Sequence, residues 1–228
     1  MPALLTPTIK FRNLGRMDWD AAMREQERVA AARARDESSD TVLFVEHEPV
    51  YTWGRRFRRE NFRSGYDPSQ PTYCGIPVRR AFRGGELTYH GPGQLVVYPI
   101  LRLPHGGHHL RRLIDFYQTV VIEVLSELGI AAFSRPDAIG VWTDRGKIAS
   151  IGVGLWRGVT QNGFAVNVET DRRAFEPIVP CGRANDKIAN INDFFDMRIS
   201  VDDVRALVEK HFIRLGKAGL PPTEERSP

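Results

Sequence analysis

The stretch GVWTDRGKIASIGVGLWRGVTQNGFAVNV, Gly140–Val168, decides the fold. It places two turn signals, Asp144-Arg145-Gly146 and Arg157-Gly158, between runs of β-branched, aromatic and small residues. Short turns of this kind join neighbouring antiparallel strands, so VWT, Lys147–Trp156 and Val159–Val168 read as a meander. Upstream, ELTYHGPGQLVVYPI reads as two strands, Glu86–Tyr89 and Leu95–Ile100, joined by a tight Gly-Pro-Gly turn. TVLFVEH reads as a buried strand ending near His47.

Helices stand apart from these strands. Asp18 is placed to cap one running to about Arg35, since Ala22, Met23, Gln26, Val29, Ala30 and Arg33 include an apolar stripe at helical spacing. The strongest helical pattern runs through Leu110, Leu113, Ile114, Tyr117, Val120, Val121, Val124 and Leu128, with Gly129 where a C-terminal glycine belongs. A last helix begins at Ser200, with Asp203 as its capping-box partner, and continues to about Leu215. Strands in hairpins and segregated helices predict an α+β fold with a mixed or antiparallel sheet, its helices covering one face. From Glu48 to Val78 the chain is rich in Pro, Gly, Arg and aromatics, which predicts a long ordered loop or flap.

A chain of 228 residues suits one core, here residues 1–219, and LPPTEERSP at 220–228 reads as a disordered tail. No run approaches the roughly 20 apolar residues that span a bilayer, and MPALLTPTIKF lacks the charged-then-apolar order of a secretory signal. A cytoplasmic protein with no membrane association is expected. Two cysteines, Cys74 and Cys181, give neither a disulfide framework nor a multi-cysteine metal site. A net charge of +4 favours an acidic partner without choosing one.

Three places carry candidate chemistry. In RGGELTYHGPGQ, Gly84 and Gly85 let backbone approach a ligand, and strand alternation aims either Tyr89 or His90 at whatever those glycines line. The bland alternative is a pair of turn glycines and a hydrogen-bonded structural histidine. Cys181, in IVPCGRAND, lies between Pro180 and Gly182, where a sharp turn can hold a thiol at the mouth of a pocket. A lone cysteine is ordinarily a small buried hydrophobe, and one that reacts needs a cation or base beside it. Lys147 opens KIASIGVGLW at the edge of an apolar floor, where it either snorkels to water or acts on a pocket. Small residues around Ser150, Gly152, Gly163 and Ala165 leave room for an aliphatic chain. No dinucleotide spacing and no lysine-bearing phosphate loop occurs, so no cofactor, metal or nucleotide is expected.

Taken together, RGGELTYHGPGQLVVYPI, GVWTDRGKIASIGV, RGVTQNGFAVNV and IVPCG resemble the motifs of the lipoyl(octanoyl) transferases, in the same order and at the same spacings. EHEPVYTWGRR looks like that family's early strand and loop, and the likeness runs from about Leu43 to the final helix. The resemblance implies the mixed sheet flanked by helices shared with biotin and lipoate protein ligases. By it, Cys181 matches the acyl-carrying nucleophile and Lys147 the lysine that lowers its pKa. Arg83, Gly84, Gly85, Glu86, Leu87, Thr88, Tyr89 and His90 match substrate-binding positions, as do Ser150, Ile151, Gly152, Gly163, Phe164 and Ala165. The implied reaction moves an octanoyl group from acyl carrier protein to a lysine of lipoyl domains, on E2 subunits of 2-oxoacid dehydrogenases and the glycine cleavage H protein.

Two departures stand out. Asn162 occupies a position where many members have histidine, and RANDKIANI, residues 183–191, replaces a glycine-, threonine- and serine-containing stretch. The cluster Arg55, Arg56, Arg58, Arg59 and Arg63, interleaved with Phe57 and Phe62, suits an acidic carrier protein or is simply a solvated loop. Nucleic acid is not expected, because no base-reading motif accompanies the arginines. The competing readings are an ATP-dependent ligase of the same fold, which would not need Cys181, and a non-catalytic acyl-binding module.

Overall fold

The computed structural model describes residues 9–67, 69–103, 109–182 and 186–218, so the tail expected at 220–228 lies outside the described residues. In chain order the strands are β1 (Lys10–Met17), β2 (Thr41–His47), β3 (Val50–Trp53), β4 (Thr72–Tyr73), β5 (Ile76–Arg80), β6 (Leu87–His90), β7 (Gln94–Ile100), β8 (Phe133–Arg135), β9 (Ala138–Thr143), β10 (Gly146–Trp156) and β11 (Val159–Asn167). The helices are α1 (Trp19–Ala34), α2 (Leu110–Glu127) and α3 (Val201–Ala218). A seven-stranded sheet runs β1-β2-β7-β11-β10-β9-β8 and a four-stranded one β4-β5-β3-β6. Each mixes pairings, with β1 parallel to β2 and β3 parallel to β5 among antiparallel neighbours. This is the α+β class that the hairpins and separate helices predict.

Local chemistry sets the ends of the helices. Asp18 accepts a hydrogen bond from the Ala21 N–H at 2.8 Å, capping α1. Ser200 and Asp203 exchange backbone and side-chain bonds at 3.0 and 3.1 Å, the reciprocal box that starts α3. Gly129 follows α2 at φ +77°, donating to Ser126.

The helices cover both faces of the large sheet, not one. The reason is visible in β7, whose run QLVVYPI is buried throughout. Leu95 and Val97 face a core shared with α2 and α3, while Val96, Tyr98 and Ile100 face one shared with α1. A continuous apolar run is what a strand covered on both sides needs.

Two more expectations change. The segment from Glu48 to Val78 is not simply a loop: β3, β4 and most of β5 come from it, and with β6 they build the smaller sheet around Tyr51, Phe62, Tyr73 and Tyr89. The Gly-Pro-Gly turn does not fold β6 back on β7; it passes the chain from one sheet to the other, since β6 pairs with β3 and β7 with β2 and β11. No helix among the described residues is long and apolar enough to cross a membrane.

Candidate active site

The site begins where the loop after β5 is strapped onto β10. The Gly84 N–H donates to the Val153 carbonyl at 3.0 Å, and Gly54 donates to Glu86 at 3.0 Å. The approach is too close for side chains: a Cβ on Gly54 would fall 2.7 Å from the Gly84 carbonyl oxygen, and one on Gly154 would collide with that of Phe82. Arg83 is buried and spends its guanidinium inside the strap, donating to the carbonyls of Gly84, Glu86 and Thr52 and to Thr52 Oγ1 at 2.8–3.2 Å.

Beneath the strap lies an inner cavity of about 40 Å³. From the strap and β6 come Arg83, Gly85, Thr88 and His90; from β10, Ser150, Ile151 and Gly152; from β11, Gly163, Phe164 and Ala165. Leu87 and Tyr89, also expected to bind substrate, point away: alternation along β6 turns them into the core of the smaller sheet, Tyr89 against Tyr51 and Phe175. Of the pair Tyr89 and His90, the histidine therefore faces the cavity.

Beside the Arg83 guanidinium, the histidines around that cavity are neutral and held. His90 Nδ1 lies 2.6 Å from Gln94 Oε1, and Gln94 in turn donates to Asn167 Oδ1 at 2.9 Å. His47 Nε2 lies 2.7 Å from the Tyr98 hydroxyl, its ring 5.9 Å from that of His90. Burial, then the adjacent His47 and Arg83, pulls His90 down to about 3, and burial pulls His47 down to about 4. Both imidazoles are uncharged at neutral pH, which suits an aliphatic occupant.

Gly85, Ile151 and Gly152 also line a larger outer cleft of about 560 Å³, shared with Gly84, Glu86, Lys147 and Gly182. Lys147 is 3% exposed, so it does not snorkel. Its Nζ stands 5.2 Å from the centroid of the Trp142 ring, and Trp142 Nε1 donates to Asp186 at 3.1 Å. Its backbone is clamped by the unusual RANDKIANI segment, donating to the Lys187 carbonyl at 2.7 Å and accepting from Ala189 at 3.0 Å. Part of that segment, residues 183–185, lies outside the described residues.

The Cys181 backbone is carried by a single 3-10 turn, Pro180–Gly182, and its thiol lies outside the described part of the chain. The arginine-rich loop anchors the approach to that turn. Val179 donates to the Asn61 carbonyl at 2.7 Å, Arg63 to Pro177 at 3.0 Å, and Asn61 Nδ2 to Glu86 at 2.9 Å. Glu86 packs directly on Gly182, where an added Cβ would meet its carboxylate at 2.5 Å.

Sequence reasoning missed several residues of this site: Trp19, Thr52, Val96 and Tyr98 line the inner cavity, and Leu110 and Ile114 the outer cleft. Asn162, noted only as a departure from the family pattern, lines the cavity too, and Arg55 and Arg56, read as a docking cluster, line the cleft. Val96 and Tyr98 carried a signal in the alternation of β7; Trp19, on a helix distant in sequence, carried none. Asn162 adopts φ +58°, a conformation asparagine tolerates better than most residues.

Residues 18–213 match the model of the lipoyl protein ligase A/B catalytic domain. The chain belongs to that family. It is 42% identical over 218 residues to an octanoyltransferase of Geobacter metallireducens, covering 96% of this chain and 98% of that one. An octanoyltransferase of Pelobacter propionicus is also 42% identical, over 92% of this chain and 97% of its own. These relatives place the chain among acyltransferases. Among solved structures, the bipartite lipoate protein ligase of Thermoplasma acidophilum superposes with a TM-score of 0.67 at 20% identity, covering 90% of this chain and 82% of that one. The biotin protein ligase of Aquifex aeolicus gives 0.53 at 16% identity, over 91% and 70%. These two likenesses carry the shared fold, the ligase-like mixed sheet.

Proposed function

We propose that this acyltransferase moves an octanoyl or lipoyl group from acyl carrier protein to a specific lysine of lipoyl domains, through a thioester on Cys181, in the cytoplasm. The observation that carries the reading is the placement of Lys147: a buried amine in the outer cleft that adjoins the inner cavity and that Gly182 lines beside Cys181.

The chemistry needs no nucleotide. The Cys181 thiolate attacks the acyl carbonyl carbon, the carbon–sulfur bond to the carrier breaks, and the carrier thiolate leaves; one thioester replaces another. The Lys147 cation favours the attacking thiolate. The departing carrier thiolate takes a proton from Lys147 and leaves as thiol; an acceptor lysine amine then attacks the acyl-enzyme, forms the amide, expels Cys181 as thiolate and gives up a proton, which the now neutral Lys147 receives. Arg55 and Arg56 at the cleft, with the exposed Arg58 and Arg59 that follow them on the same loop, supply a basic rim for an acidic donor protein. E2 lipoyl domains and the glycine cleavage H protein are the acceptors in this reading.

Intact-protein mass spectrometry tests it. After mixing with octanoyl-loaded acyl carrier protein without ATP, an octanoyl adduct on Cys181 is expected, and an apo lipoyl domain added next should remove it to its own lysine. Cys181→Ala should abolish both steps while the thermal melt stays intact. Transfer that requires free acid and ATP would replace this reading with a ligase.

A further inference from the structure

The inner cavity has two ends. One opens past Gly85, Ile151 and Gly152 into the outer cleft that holds Lys147. At the other, Trp19 and Asn162 line the cavity on one side and a separate surface groove of about 460 Å³ on the other. These two residues stand between the cavity and the groove.

The two halves of the wall differ. Asn162 is pinned: its N–H donates to Gln26 Oε1 at 2.5 Å and its Nδ2 to the Phe82 carbonyl at 2.9 Å. Trp19 is the first residue of α1, set in place by the Asp18 cap, and presents its half-buried indole to the cavity. Beyond it the groove is lined mainly by polar and charged residues, Asp20, Arg24, Glu27 and Arg80 among them, with Met23 and Phe82 as its apolar members. A chain that passed the indole would leave the cavity for a largely polar surface.

We infer that Trp19 sets the longest acyl chain the enzyme accepts, its indole stopping the methyl end once the chain, lying along the outer cleft, has pushed its last carbons into the cavity. The inference rests on the acyl-transfer reading for the identity of the occupant. Each methylene that finds apolar cover is worth about fourfold in affinity, so a wall at a fixed depth converts chain length into selectivity. Removing the indole joins the cavity to the groove and takes away the steric stop, so that longer chains no longer collide with the wall.

The test compares wild type with Trp19→Ala and Trp19→Leu. Initial rates of Cys181 acylation are read by intact mass with octanoyl, decanoyl, dodecanoyl and tetradecanoyl thioesters of pantetheine, and binding of the matching free acids is read by calorimetry. Trp19→Ala should raise the dodecanoyl-to-octanoyl rate ratio by more than about tenfold, with Trp19→Leu between it and wild type. A general loss of activity lowers every chain length together and leaves the ratio alone, so the ratio separates selectivity from damage. Variants whose length profiles run parallel to wild type overturn the inference. If wild type forms no adduct from any thioester, the transfer reading falls, and the length series of the free acids still decides the role of Trp19. Wild type that binds no acid of any length overturns it outright.

Discussion

Lys147 owes its position to Gly140. The Lys147 side chain crosses Gly140 so closely that an added Cβ would sit 2.7 Å from its Cε and 2.8 Å from the Ala149 carbonyl oxygen, at a backbone φ of +150°. Gly140→Ala should therefore lower the melting temperature and displace the amine, cutting acylation of Cys181 by about tenfold or more, as single-turnover mass spectrometry would show. Lys147→Ala should slow acylation at neutral pH by about a hundredfold. Raising the pH should restore part of it, because the thiol then ionises without help; an unchanged pH profile would remove Lys147 from the mechanism. The buried histidines give a third expectation. Their folded values, about 4 for His47 and about 3 for His90, lie below the ordinary 6.5. Between those limits the unfolded chain binds protons that the folded one refuses, so stability falls as pH drops from about 6.5 and rises again with pH. Urea midpoints measured across that window should show the slope, and His90→Gln should make it shallower.

Elements defined by local chemistry are legible in the sequence. The Asp18 cap, the Ser200–Asp203 box, the apolar face of α2 and the turns of the β9–β11 meander each rest on neighbouring residues. Ser200→Ala should cost about 1 kcal/mol by losing one half of that box, measurable as a lower denaturant midpoint with transfer activity preserved. Pairings between distant segments are not legible in the same way. Turn residues announce that a chain reverses and not which strand it will join, so β3 beside β6 and the exchange of sheets at Gly-Pro-Gly leave no trace in the residues themselves. The same limit applies to the candidate site. Small residues and Lys147 on β10 and β11 are readable from one hairpin, whereas Trp19 and Thr52 reach the cavity from α1 and the smaller sheet.

At the scale of the molecule, the proposed docking of an acidic carrier would act through the field of the exposed arginine loop, of which Arg55 and Arg56 line the cleft. Replacing Arg55, Arg56, Arg58 and Arg59 by glutamate should raise KM for the acidic carrier and leave octanoyl-pantetheine turnover little changed. Added salt should weaken wild type toward the variant, because exposed charges are screened within about 10 Å at 0.1 M ionic strength. The large sheet has a second consequence. Its strands fall into an early group, β1, β2 and β7, and a late group, β8 to β11, which meet along the pairing of β7 with β11. The inner cavity straddles that seam, taking Val96 and Tyr98 from one side and Phe164 and Ala165 from the other. On the proposed acyl-transfer reading, the end of a bound acyl chain would lie on that seam and act as a rivet between the halves of the protein. Loading should therefore slow deuterium uptake at the amides from Leu95 to Val97 and from Phe164 to Val166 more than elsewhere in the sheet, and delivery of the acyl group should return the seam to its unloaded exchange rate.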